Sequence, residues 1–211
     1  MRILILAILF IQVCCQTVYS SNFGNVPFLC QAPEGRWIEP YEDGCEEAAI
    51  IMAVHWAKHT SFDKLSEKKE MLSLVAYQKE HYGGHYDLDT AKMLALMKDY
   101  YGFSSAAVKE ISSPQDIEDE LYKGHILIVP AAGRLLKNPY FTLPGPVYHC
   151  LVITGFDKSR QVFIVNDPGT RRGKNYKYPY SVLFNAIHDW TGAKNSLLQG
   201  HKKVIVVSGS K

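Results

Sequence analysis

The chain has 211 residues, a formal net charge of +2, 47% hydrophobic residues and 21% charged residues. This length and balance allow one globular domain with a substantial core, and they exclude a disordered chain. The sequence has no long basic run, which argues against nucleic acid as a partner.

The N-terminus has the pattern of a secretory signal peptide. Arg2 supplies a positive charge, residues 3–11 are apolar, and Ser20 ends a stretch suited to cleavage. We therefore predict a signal peptide over residues 1–20 and a secreted or extracytoplasmic protein. The apolar run is shorter than the roughly 20 residues of a membrane span, so no span is expected in the mature chain. An uncleaved membrane anchor is the competing interpretation.

Residues 21–211 contain no linker long enough to divide them, so we predict one domain. A loop rich in Gly and Pro precedes a helix over 45–59. Further helices are predicted over 63–81, from Asp89 or Thr90 to before Gly102, from Ser113 to Gly124, and over 180–190. Strands are predicted over 106–111, 125–129, 147–156, 161–166 and 203–207. Because most helices precede the strands, the fold class is α+β.

Cys45 lies at the start of the first predicted helix. The positive end of a helix dipole favours thiolate over thiol, and the thiolate is the nucleophile. The plain alternative is a buried cysteine packed beneath the helix. Glu46 and Glu47 follow in the first turn, where a capping role is expected.

The two strands over 147–156 and 161–166 flank a short turn and should pair antiparallel. If Phe156 pairs with Arg160, His149 lies opposite Asp167 and on the same face. We favour this register over the one that pairs Phe156 with Gln161. Asp167 would hold one imidazole nitrogen and leave the other to take the proton of Cys45.

Each of these residues also has an ordinary explanation. His149 suits a core histidine in an apolar strand, and Asp167 before Pro168-Gly169 suits a turn. Asn166 competes for the orienting role, but strand alternation points it to the opposite face. Only the three together, in one compatible geometry, favour a Cys-His-Asp hydrolase site.

Removal of a signal peptide would leave three cysteines, an odd number for an oxidising compartment. In one arrangement Cys30 pairs with Cys150 and Cys45 stays free. In the other, all three thiols are reduced. Among the histidines, His81 and His85 flank a Gly-Gly pair, and we expect them to be exposed rather than to bind metal.

Three blocks of sequence resemble the bacteriocin-processing (double-glycine leader) cysteine peptidase-like family, whose members have a papain-like fold. The blocks are VPFLCQAPEG (residues 26–35) continuing to GCEEA (residues 44–48), HCLVITGFD (residues 149–157) and VNDP (residues 165–168). The resemblance implies that Cys45 is the nucleophile, His149 the general base and Asp167 its orienting group. It also implies that Gln31 stabilises the oxyanion with the Cys45 amide, and Trp37 is a candidate cleft wall.

The resemblance predicts a thiol hydrolase that cleaves peptide or amide bonds through an acyl-enzyme, without metal or cofactor. An acyl transferase would use the same intermediate, and a catalytically silent binding module would keep only the fold. We expect a peptide or protein substrate and a monomer. The best-known relatives cut leader peptides after paired glycines, a preference that the matched residues do not carry over to this chain.

Overall fold

The computed structural model describes residues 20–22 and 25–209. The predicted signal peptide, apart from Ser20, therefore lies outside the described residues. The helices are α1 (Cys45–Ala57), α2 (Lys64–His81), α3 (Thr90–Tyr101), α4 (Pro114–Tyr122) and α5 (Tyr180–Ala186). The strands are β1 (Ser20–Asn22), β2 (Ala106–Glu110), β3 (Ile126–Ala132), β4 (Tyr148–Asp157), β5 (Val162–Asn166), β6 (Tyr176–Pro179) and β7 (Lys203–Val207). This content confirms the α+β class.

The strands form one antiparallel sheet in the order β2-β7-β3-β4-β5-β6, and β1 pairs with the end of β4 that lies beyond β3. Helices cover both faces of the sheet. One apolar cluster joins α1, α2 and α3 to alternate strand residues such as Cys150 and Val152. The other joins α4 and α5 to the residues between them, such as Leu151 and Ile153. The sheet is therefore buried on both sides, and the cleft described below opens where β4 begins.

Helix α1 is buried over almost its whole length. Eleven of its thirteen residues are buried, and after Glu47 every residue except His55 is apolar. A helix of this kind suits the centre of a protein rather than its surface. Its small alanines allow close packing against β4 and β3, so its first residue, Cys45, is held in a fixed position beside the sheet.

The predicted register of the β4–β5 hairpin is wrong. Phe156 pairs with Phe163, because the turn takes up residues 158–161 and Gln161 adopts a left-handed conformation with φ of 51°. The pairing then shifts by one residue between Ile153 and Gly155, which leaves Thr154 as the extra residue of a β-bulge. The Thr154 hydroxyl donates to the Ile164 carbonyl at 3.2 Å and so occupies an acceptor that the bulge would otherwise leave open.

The three cysteines of the described chain are all free and buried. The candidate Cys30–Cys150 disulfide is therefore not formed, and the alternative of three reduced thiols holds in this structure. Cys150 faces the α1 side of the sheet, where its sulfur lies 3.8 Å from the Met93 sulfur. Burial is the main cause that raises the pKa of the Cys30 and Cys150 thiols. Both behave as core residues.

Candidate active site

Cys45 is the first residue of α1, and its side chain is nearly inaccessible, with 5% of the residue exposed. The thiol donates to Glu46 Oε2 at 2.9 Å. Burial raises the pKa of Cys45 well above its usual value, and the neighbouring Glu46 carboxylate raises it further. The sequence predicted a lowered pKa from the helix dipole. Desolvation and a like charge outweigh that dipole here, so the resting thiol is protonated.

Glu46 and Glu47 do not have the simple capping role that the sequence predicted, because both are buried and bond to other segments. Both are 1% exposed. Glu46 accepts a hydrogen bond from the Leu88 backbone at 2.9 Å, and burial raises the pKa of its carboxyl group well above the usual range. Glu47 accepts a hydrogen bond from Gln78 and lies 3.3 Å from His85 Nε2. The first turn of α1 therefore carries two buried acids beside the thiol.

His149 and Asp167 meet although the predicted register is wrong. His149 Nε2 lies 2.7 Å from Asp167 Oδ1, and the two side chains are 2% and 0% exposed. Asp167 lies just past β5, in a turn where the Gly169 amide donates to the same carboxylate oxygen at 2.9 Å. The turn, rather than direct strand pairing, brings the carboxylate to the imidazole. The Nδ1 atom of His149 is left without a hydrogen bond to the described residues.

Two further side chains complete the surroundings of Asp167. Tyr178 donates its hydroxyl to Asp167 Oδ2 at 2.6 Å, and Asn138 donates its amide to the same oxygen at 3.2 Å. The Asn138 amide also donates to the Tyr178 oxygen at 2.7 Å. Burial alone would raise the pKa of Asp167. The charge and hydrogen bond of His149, together with the hydrogen bonds from Tyr178 and Gly169, outweigh burial and lower the pKa of Asp167. Asp167 is therefore a stably ionised carboxylate.

Sequence reasoning did not find Tyr178 or Asn138. The only signal for Tyr178 was the alternation of three tyrosines over 176–180, which the structure shows to be β6 running into α5. Asn138 lies in the loop after β3, and no local pattern marks it. Asn166, the rival to Asp167, donates instead to the Val26 and Pro27 carbonyls.

The imidazole ring is fixed from its other sides by a phenyl ring and a glycine. Phe141 meets His149 edge to face, with ring centroids 5.2 Å apart. Gly169 has no side chain, and a Cβ atom placed there would lie 2.8 Å from His149 Cε1 and 2.8 Å from Phe141 Cε1. Any larger residue at position 169 would displace the ring, so this position needs glycine for space.

Gln31 reaches the segment that leads into α1. Its backbone amide donates to the Pro168 carbonyl at 3.0 Å. Its side-chain amide donates to the Tyr41 and Glu42 carbonyls, each at 3.0 Å. The side-chain oxygen of Gln31 is buried and has no hydrogen-bond partner. In this conformation the amide group of Gln31 is used to hold the loop.

Cys45, His149 and Gln31 all line one cavity of about 730 Å³. Trp37, which is 43% exposed, forms part of the wall, as the sequence suggested. The remaining lining includes Gly169, Phe141 and charged residues from several loops. A thiol and an imidazole backed by a buried carboxylate therefore share one accessible space.

A group of three acids in the described chain has spacing that a metal ion could use, namely Glu39, Glu42 and Asp43. The group does not include Cys45, His149 or Asp167. None of the helices in the described residues is long and apolar enough to cross a membrane.

The fold is a papain-like α+β fold, and comparisons with known proteins show the family of the chain. Residues 23–197 match the model of the Peptidase_C39 like family, so the chain belongs to that family. No curated protein sequence matches the chain.

A solved structure of a putative C39-like peptidase from Bacillus anthracis is 16% identical to the chain. The match covers 92% of this chain and 99% of that one, with a TM-score of 0.58. The peptidase domain of Streptococcus ComA, a bifunctional ABC transporter involved in quorum sensing, is 14% identical. That match covers 79% of this chain and 93% of that one, with a TM-score of 0.38. The first similarity supports the fold.

Proposed function

We propose that the protein is a thiol hydrolase that cleaves peptide or amide bonds with Cys45, His149 and Asp167. The observation that carries this proposal is the cavity that Cys45 and His149 both line, with His149 Nε2 bound 2.7 Å from a buried carboxylate. An imidazole oriented in this way presents its Nδ1 atom as a base, and a thiol is the nucleophile it activates.

The raised pKa of Cys45 bears on how the nucleophile is made. The thiol does not rest as a thiolate, so its side chain must turn from Glu46 towards the cavity when substrate binds. His149 Nδ1 then takes the proton as sulfur bonds to the carbonyl carbon, and Asp167 stabilises the imidazolium. His149 returns the proton to the leaving amine, and water releases the acyl group.

The oxyanion of the tetrahedral intermediate needs hydrogen-bond donors. The first amides of a helix have no acceptor within it, so the Cys45 N–H is available to the oxyanion. Gln31 is the second donor in this proposal, once its amide leaves the Tyr41 or Glu42 carbonyl. Removal of one such donor typically costs about 3 kcal/mol of transition-state stabilisation, which is about a hundredfold in rate.

The experiment compares native protein with Cys45→Ala, and with Cys30→Ala as the matched control for loss of a buried thiol. Cleavage of a mixed peptide pool should fall about a thousandfold or more in Cys45→Ala and persist in Cys30→Ala. A hydroxylamine-sensitive adduct on Cys45, detected by mass spectrometry, would report the acyl-enzyme. Full activity in Cys45→Ala would exclude this mechanism.

A catalytically silent binding module is the second candidate, and one observation favours it. The Cys45 thiol is hydrogen-bonded to Glu46, and the Gln31 amide is hydrogen-bonded to the Tyr41 carbonyl. In the resting site, neither group is therefore free to act on a substrate. The silent module predicts that peptides bind in the cleft but stay intact. Formation of an amide between the acyl group of the substrate and an added amine would instead favour an acyl transferase.

We also propose that residues 1–20 direct secretion and are then removed, which rests on the charge and apolar run at the N-terminus. Mass spectrometry of protein recovered from the medium should give a mature chain that begins near Ser21. A chain that keeps its first residues in the membrane fraction would support the uncleaved anchor.

A further inference from the structure

Three carboxylates line the same cavity as Cys45 and His149. Glu42 and Asp43 belong to the segment just before Cys45, and Asp87 belongs to the segment before α3. We call these three residues the acidic wall. None of them forms an ion pair with a basic side chain of the described residues. Lys194 also lines the cavity, and its charge partly offsets that of Asp87.

The acidic wall is incompletely neutralised. Burial raises the pKa of Asp87, and the Asp43 and Glu47 carboxylates raise it further, against the opposing charges of Lys194 and His85. Gln31, which lines the cavity and is 3% exposed, has a side-chain oxygen without a partner. A cation placed against this wall would relieve like-charge repulsion and supply a donor near unpaired acceptors.

The acidic wall continues into a side pocket of about 410 Å³. Asp43, Asp87 and Lys194 line both cavities, and Lys92, Gly192, Trp190, Tyr86 and His85 line the side pocket only. The His85 side chain is 3% exposed, contrary to the sequence-based expectation, and neither ring nitrogen has a hydrogen-bond partner. Glu39 and Glu47 face its ring at 3.9 and 3.3 Å. Lys92 and Lys194 offset the charges of Asp43 and Asp87 in the side pocket, so the acidic wall attracts a Lys or Arg side chain where it lines the main cavity.

The segment after Asp167 carries the opposite charge. Arg171 and Arg172 line the cavity, and we call them the basic wall. The Arg172 guanidinium carbon lies 4.8 Å from the centre of the Tyr140 ring, and the Arg171 guanidinium packs against the backbone of Gly35. Neither arginine forms an ion pair with the described residues. Their guanidinium groups are held by packing against Tyr140 and Gly35, are exposed, and can form a bidentate ion pair with a carboxylate.

We propose that the cleft selects peptides by charge on both sides of the scissile bond. A Lys or Arg side chain binds the acidic wall in the main cavity, and an Asp or Glu side chain binds the basic wall. This inference rests on the proposed function, because it places the reacting bond at Cys45 between the two walls. Complementary charges of this kind fix the direction in which a peptide lies and favour one partner over others.

The test uses four fluorogenic peptides of equal length with one central cleavage site. One has a basic residue before the site and an acidic residue after it, the second has the reverse order, the third has only the basic residue, and the fourth has Gln at both positions. One of the two ordered peptides should exceed the Gln peptide about fivefold or more in kcat/KM, and the excess should shrink as salt rises. Equal rates for all four with an active enzyme would overturn the inference and leave the hydrolase intact.

Variants assign each charge to its wall. Asp87→Asn should lower the ratio of basic-residue peptide to Gln peptide, and Arg172→Gln should lower the contribution of the acidic residue. The matched controls are Asp119→Asn on α4 and Arg160→Gln in the β4–β5 turn, neither of which lines the cavity. A ratio changed equally by the controls would show a general effect of net charge and would contradict the two walls.

Two further arms keep the outcomes separate. Titration of the same peptides against Cys45→Ala measures charge preference in Kd without catalysis, so a preference that persists there supports the walls even if no cleavage occurs. Added CaCl₂ is compared with NaCl at equal ionic strength. A preference that Ca²⁺ alone abolishes would make the acidic wall a metal site and overturn its assignment to a peptide side chain.

Discussion

The two halves of the candidate site differ in how completely their polar groups are satisfied. In the imidazole half (His149, Asp167, Tyr178 and Asn138), each carboxylate oxygen of Asp167 accepts two hydrogen bonds. In the thiol half (Cys45, Glu46 and Glu47), like-charged groups are buried together and Glu47 Oε2 has no partner. The imidazole half is already oriented for its proposed role before substrate binds, whereas the Cys45 side chain of the thiol half must turn away from Glu46 when substrate binds.

The difference follows from which segments build each half. Three of the four donors to Asp167 come from other segments, namely Asn138, His149 and Tyr178, so several elements fix its position at once. The three residues of the thiol half are consecutive and share the first turn of α1. Their charges are close by covalent geometry, and burial makes that proximity costly. We expect substitutions in the imidazole half to affect stability and turnover together, and substitutions of Glu46 and Glu47 to affect mainly the protonation of Cys45.

Among the substitutions that test this difference, Asp167→Asn should have the largest effect on turnover and stability. Asn keeps the shape but cannot hold the imidazolium, so kcat should fall by about a hundredfold to ten-thousandfold. Loss of charge-assisted hydrogen bonds should also cost about 2 kcal/mol of unfolding free energy in urea. The control is Asp157→Asn, at the far end of β4, which should change neither quantity by a comparable amount. Unaltered turnover in Asp167→Asn would show that the imidazole half has no catalytic role.

Tyr178→Phe removes one donor and keeps the ring. The cost should be about 1.5 kcal/mol in unfolding free energy and a smaller loss of kcat. Tyr178 helps to lower the pKa of Asp167, so its removal raises that pKa. The stability that Asp167 contributes is present above its unfolded pKa and is lost as pH falls through its folded pKa. The acid limb of both stability and activity should therefore move to higher pH in the variant.

Tyr176→Phe is the matched control, because it lies on the same strand and its hydroxyl has no hydrogen bond to the described residues. Its pH profiles should match those of the native protein. An equal shift in both variants would assign the effect to the tyrosine cluster as a whole rather than to the hydrogen bond with Asp167.

Glu46→Gln should have the smallest effect on folding and a clear effect on the thiol. The Glu46 carboxylate is among the causes that raise the pKa of Cys45, and Gln keeps an acceptor for the Leu88 amide. The pH midpoint of iodoacetamide labelling at Cys45 should therefore move to lower pH. Glu47→Gln, one residue along, serves as the control and should leave the midpoint closer to native. A midpoint unchanged by Glu46→Gln would mean that desolvation alone controls the thiol.

Local patterns in the sequence were sufficient for the outline of the fold. Helical spacing and capping residues marked α1 to α4, and β-branched runs marked the central strands. Cys45 at a helix start and the nearness of His149 to Asp167 were also predicted, the second from a strand register that is wrong. The true register could not be predicted, because the left-handed Gln161 and the bulge at Thr154 depend on contacts that no short window contains.

The electrostatics of the site were the least predictable part. A first-turn glutamate is usually exposed, and nothing beside Glu46 in sequence shows that the segment at Leu88 will cover it. The same burial reverses the expected pKa direction of Cys45 and hides the ring of His85. The role of Asn138 could not be predicted for a similar reason, since it contacts Tyr178 and Asp167 only after three distant segments come together.

The extra residue at Thr154 makes the count of residues in β4 matter as much as their identity. Side chains alternate from face to face along a strand, and His149 lies five positions before the bulge. Deletion of one residue between His149 and the bulge, with the β4–β5 turn held in place, would move His149 one position along the strand and turn its side chain to the opposite face. Tyr148 would then take the position that His149 now has. Insertions and deletions in this strand are therefore a more severe hazard to the protein than most replacements of a single amino acid.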